Sequence, residues 1–136
     1  MRGLTAFLMG TLAATGLAYA DDALENAPPP APYAQVSTLV ALPDFIPGLG
    51  TLYVDPDTLP AGPFLAYDHD GKLAATVYMT PIAALEGGTA YDDLALGDDD
   101  VKSVDIYYNA GHPGVEEPHV HVIIYHDDDS KSRLAE

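Results

Sequence analysis

The run His119–Tyr125 reads His-Val-His-Val-Ile-Ile-Tyr, and a stretch so dense in β-branched and aromatic side chains favours a strand in a sheet. Residues 101–108 repeat that composition, and the short connection at 109–118 lets the two strands pair antiparallel. Three weaker β-prone runs precede them, at residues 51–54, 64–67 and 72–79. The last two flank Asp68, His69, Asp70 and Gly71, which predicts a hairpin with Gly71 at the position needing positive φ. Asp55 followed by Pro56 has the form of a helix cap with proline at the first helical position, so one turn is expected there. Thr80 and Pro81 repeat the pattern and predict a short helix through Leu85, stopped by Gly87 and Gly88. The fold class is therefore α+β and β-rich, a small antiparallel sheet with one or two short helices.

The segments outside these runs set the domain plan. Arg2 precedes an apolar stretch at residues 4–17, and Ala18, Tyr19 and Ala20 form an A-x-A cleavage site, so residues 1–20 read as a signal peptide. The stretch is shorter than the roughly 20 apolar residues that cross a bilayer. With no cysteine to carry a lipid, no stable membrane anchor is expected. Residues 21–37 carry four prolines among acidic and small residues and read as an extended, unpacked linker. Residues 127–136 are almost wholly polar and read as an acidic disordered tail. The foldable part, residues 38–126, is about 90 residues without disulfides, near the lower limit for one comfortable core. Stability must then come from packing, a bound metal or partner subunits, which makes a homo-oligomer the expected state.

Charge removes two classes of partner. With 21 acids against 5 basic residues the formal net charge is −16, and such a surface repels nucleic acid and anionic lipid. The acidic runs at residues 98–100 and 127–129 do not make a calcium loop, whose ligands alternate and end in a distal Glu. Asp68, Asp70 and Gly71 imitate part of one, but Ala66 and Val77 stand where its first and last ligands belong. These acids are read as turn and solvated-surface residues.

Chemistry is concentrated in four histidines, His112, His119, His121 and His126. Alternate strand residues share a face, so His119 and His121 project together while His126 falls on the opposite one. Such a pair closes on one divalent transition metal, zinc or copper, when a third ligand arrives from a neighbouring segment. His112, in the connection between the two strands, is the expected third ligand, with Glu116 and Glu117 as weaker candidates. Asp105 or Tyr107 on the partner strand would fix an imidazole tautomer. The bland alternative is a polar, inert sheet face. His126, beside three aspartates, reads as exposed, and His69 as a turn residue. A cupin motif is excluded because Tyr125 or His126 stands where its downstream Glu would be. No nucleophile motif or phosphate-binding glycine loop is present.

Residues 62–87 and 104–126, with the Gly111-His112-Pro113 loop and the histidine strand as their most specific parts, resemble a family of exported bacterial proteins classed as DUF5602, the TTHB-type ring proteins. The resemblance implies a mixed, β-rich subunit that assembles into a ring and has no established activity. In the family pattern a histidine follows proline on the final strand, with an aspartate two residues on and a second histidine two further. Here Pro118, His119 and the loop His112 match, whereas His121 and Ile123 replace the aspartate and the second histidine.

The expected protein is thus an exported, periplasmic or extracellular binding or structural protein with a metal held by His112, His119 and His121. A metal-dependent hydrolytic or redox enzyme, and a ring-forming assembly protein without metal chemistry, are the two alternatives. The cleavage site makes a direct prediction: N-terminal mass analysis of the secreted chain should find Asp21 first, and retention of Met1 would refute the signal.

Overall fold

The computed structural model describes residues 22–136, so the signal segment lies outside the described residues. Six strands form one antiparallel sheet in the order β1-β2-β3-β4-β6-β5. They are β1 Ala34–Gln35, β2 Thr51–Val54, β3 Phe64–Tyr67, β4 Leu73–Pro81, β5 Ser103–Asn109 and β6 His119–Tyr125. Two short helices, α1 Ile82–Glu86 and α2 Ser130–Arg133, complete the α+β architecture. The β3–β4 turn closes as expected with Gly71 at φ 77°, and Asp55 caps a 3-10 turn at Pro56–Thr58 by accepting from the Asp57 N–H at 3.0 Å. The predicted cap at Thr80 is not used. Thr80 stays in β4, and α1 begins after Pro81 without a side-chain cap.

Alternation sorts the sheet into two faces. Leu52, Val54, Phe64, Val77, Met79 and Ile123 lie on the front face, in the larger core. The irregular segment after β1 covers them with Val36, Val40, Leu42, Ile46 and Leu49. Leu65, Tyr67 and Leu73 form a smaller cluster on the back. There Thr76 accepts from the Gly97 N–H at 2.9 Å, and Tyr78 donates to the Ala95 carbonyl at 2.5 Å, which holds a loop against β4. Among the described residues no such cover reaches β5. Val104 with Ile124, Ile106 with Val122, and Tyr108 with Val120 are cross-strand partners on that face, and Ile106 is 68% exposed.

Both flanking segments differ from the sequence expectation. The proline-rich stretch is packed: Leu24 and Ala27 join the back cluster, the Ala27 N–H donates to Gly71 O at 2.7 Å, and Ala34–Gln35 pairs with β2. Prolines exclude helix but suit an extended chain at a sheet edge, so the same composition that suggested a linker also permits this packing.

The acidic tail is also packed. Leu134 is fully buried against the larger core, and its carbonyl accepts from the Gly48 N–H at 2.6 Å. Arg133 gathers the surrounding acids, bonding Asp68, Asp127 at 2.6 Å and Asp129 at 3.1 Å. Burial pushes the Asp68 carboxyl up, but hydrogen bonds from the Lys72 N–H, Arg133 and the Asp70 N–H outweigh it and hold the pKa below the usual value. One apolar and one basic residue therefore anchor a segment whose average polarity suggested fraying. Leu134→Ala should cost about 2–5 kcal/mol, the range for a buried leucine. Urea denaturation checks this, and an unchanged midpoint would return the tail to the solvent.

Candidate metal centre

His119 and His121 reach the front face because they are two residues apart on β6, and the ladders fix what stands beside them. His121 lies between Met79 of β4 and Tyr107 of β5, and His119 between Pro81 and Asn109. Both are buried, at 0% and 2% exposure.

His112 comes from the connection, which must turn back over the strand end. Pro113 and Gly114 occupy the middle of a tight turn in which the His112 N–H donates to Val115 O and the Val115 N–H to His112 O, each at 3.0 Å. Proline presets the first central φ, and Gly114 supplies the positive φ, 93°, at the second. Buried Val115 ties the turn to the core. Gly111, at φ 132°, passes so close to the Glu116 carbonyl that a side chain there would collide with it. The loop thus delivers the His112 ring edge-on to His119, with centroids 4.7 Å apart and planes at 84°.

The three Nε2 atoms form a triangle with sides of 2.9 Å between His119 and His121, 3.1 Å between His112 and His119, and 3.3 Å between His112 and His121. The far sides of the rings assign the protons. His119 Nδ1 lies 2.8 Å from Glu117 O, and His112 Nδ1 lies 3.0 Å from Pro113 O. A carbonyl only accepts, so both Nδ1 atoms carry hydrogen and donate, and in the neutral rings each Nε2 then presents a lone pair. In the neutral rings the 3.1 Å approach of His112 to His119 sets two lone pairs face to face. A shared cation would relieve their repulsion. Metal–nitrogen bonds of about 2.0–2.1 Å put ligand nitrogens roughly 2.9 Å apart at right angles and 3.4 Å apart at the tetrahedral angle, the span the triangle occupies.

Of the two expected tautomer-fixing partners, Tyr107 is at the site, its hydroxyl 3.2 Å from His121 Nδ1. Asp105 is not. Its carboxylate accepts from Lys131 at 2.7 Å and from the Tyr125 hydroxyl at 3.3 Å. Glu116 and Glu117 point their side chains to solvent, and only the Glu117 carbonyl takes part. His126 is correctly on the other face but is buried rather than exposed. Its Nδ1 donates to Asp100 O at 2.6 Å and its Nε2 accepts from the Thr76 hydroxyl at 2.8 Å, tying the end of β6 to the acidic loop. His69 stacks on Phe45 with centroids 3.6 Å apart. Among the described residues, His112, His119 and His121 form the group of histidine, cysteine or acidic side chains that meets metal-holding geometry. Ile123 stands where the resembled pattern has its second strand histidine, and the set is complete without it because the loop supplies the third ligand.

A crystal structure of a hypothetical protein, TTHB210 from Thermus thermophilus, is 46% identical to this chain, covering 68% of it and 93% of that protein, with a TM-score of 0.60. The chain belongs to the TTHB210 family. No protein-family model matches the sequence, so the DUF5602 label is without support, and no curated protein matches it either. Membership in the TTHB210 family brings a related fold and no stated activity.

Acid should be felt there first. Burial, reinforced by the charge that His119 and His112 would carry, lowers the pKa of His121 from 6.5 to about 4. The folded form thus binds protons less readily than the unfolded chain. This group's contribution to stability is complete above about pH 6.5 and is lost as pH falls towards 4. The melting temperature of metal-free protein should fall across that window, and His121→Gln should flatten the fall. Equal slopes for the two proteins would show that His121 is not protected from protonation.

Proposed function

We propose that this chain is an exported metal-binding protein that holds Zn²⁺ or Cu²⁺ through the Nε2 atoms of His112, His119 and His121. The observation that carries the reading is the convergence of three Nε2 atoms, with His112 and His119 3.1 Å apart and His121 closing the triangle. Imidazole nitrogen suits both ions, and carbonyl hydrogen bonds on the far ring nitrogens orient the ligands and raise their basicity. The charged start, apolar run and A-x-A site at residues 1–20 support export. The Thermus relative is a hypothetical protein with no stated activity.

A metal-dependent hydrolytic or redox enzyme is the second reading, and one observation favours it. Three protein ligands leave a coordination position open, as catalytic sites require, and an apolar cleft borders His112 and His121. When bound, the metal would supply Lewis acidity at that position. His121 would be kept in line by Tyr107, and His119 by the Glu117 carbonyl.

Thermal melts with added Zn²⁺ and with chelator test the proposal. A metal bound only by the native state adds about 2.7 kcal/mol at a hundredfold excess over Kd, and the melting temperature should rise accordingly. His119→Ala and His121→Ala should abolish most of the rise. His126→Ala should lower the starting temperature, because it breaks the bonds to Thr76 and Asp100, yet keep the metal-induced rise. Identical melting with metal and with chelator would defeat the reading, as would loss of the response in the His126 variant alone.

A further inference from the structure

The front-face core is incomplete near the histidines. Between the segment after β1, the sheet and the His112–Val115 turn lies a cleft of about 280 Å³. Its walls are apolar along most of their length, with Val40, Leu42, Leu52 and Met79 among them. Its polar groups, Tyr107, Asn109, His112 and His121, come from β5, β6 and the connection between them. An apolar cavity of about 150 Å³ accommodates benzene, so this one has room for a ring with a short substituent or a chain of roughly six to ten carbons. Small-ligand sites share this plan, an apolar body with a few polar groups that set orientation.

We infer that the cleft binds a small apolar molecule bearing a single carboxylate, with its hydrocarbon body against Val40 and Leu42 and its carboxylate on the metal held by the three histidines. The inference rests on the metal reading and deepens it by naming the ligand class. The ligand set is three neutral imidazoles, so a divalent ion keeps its full charge and an anionic oxygen donor neutralises part of it. Among the described residues no lysine or arginine lines the cleft, so the metal is the cation that would hold an acid there. The net charge of −16 disfavours acids with further negative groups, and the apolar walls disfavour a second polar group. Those two constraints select a monocarboxylate.

Cobalt-loaded protein titrated with octanoate, with 1-octanol as the uncharged counterpart, tests this. Co²⁺ should bind and show visible bands, and octanoate should shift them while octanol does not. Removing the metal should weaken octanoate binding, read by calorimetry, by about tenfold or more, equivalent to at least 1.4 kcal/mol. Leu42→Trp, which fills the cleft from the covering segment, should leave the cobalt bands of the ligand-free protein unchanged and weaken octanoate similarly. Ile46→Trp serves the same purpose if the first variant fails to fold. Cobalt bands that octanoate does not move would overturn the inference and leave the metal reading standing. Absence of cobalt binding would bring down both. Octanoate binding of equal strength with and without metal, or in the wild type and both folded tryptophan variants, would show that the carboxylate is not on the metal or the body not in the cleft.

Discussion

The insertion of β6 between β4 and β5 is the arrangement on which the rest of the structure depends. Its seven residues are paired along both edges, so their alternation is locked in register from His119 opposite Pro81 and Asn109 to Tyr125 opposite Ala75 and Ser103. A slip of one residue would send both site histidines to the back face and replace them with valine. The ladder thus fixes the strand half of the metal centre before any metal contributes. It also places Ile123 and Tyr125 in the same core that the covering segment and Leu134 complete.

Within that frame, backbone groups rather than side chains determine the histidine chemistry. The carbonyls of Glu117 and Pro113 hold protons on the outer nitrogens of His119 and His112, so in the neutral rings the inner nitrogens accept. Burial of His121 makes its protonation an unfavourable way to relieve the resulting repulsion, and a metal ion is the better solution. The same turn that carries His112 also borders the cleft, so the position of the third ligand and access to the metal are linked through Gly111, Pro113 and Gly114.

The strands β2, β3 and β6 and the pairing of His119 with His121 were legible because they depend on local composition and a period of two, neither of which needs knowledge of the partner strand. Tyr107 was legible for the same reason, as a residue on the front face of the neighbouring strand. Other features were hidden by averaging. The tail reads as polar although Leu134 alone fills a place in the core, and the proline-rich stretch reads as a linker although its extended chain suits a sheet edge. His126 reads as exposed because its neighbours in sequence are aspartates, whereas its neighbours in space are Thr76 and the Asp100 carbonyl. The walls of the cleft were illegible because residues 36–49 form an irregular cover with no helix or strand period to announce its buried side.

By itself, then, the sequence determined a β-rich domain and a strand that presents two histidines on one face, since alternation follows from chain geometry alone. Tertiary structure decided that His112 completes the triangle, which nitrogens face inward, and that an apolar cleft opens beside them. Those outcomes depend on where a loop closes and which carbonyls it brings to the rings, and such distances are set by packing between segments far apart in the chain.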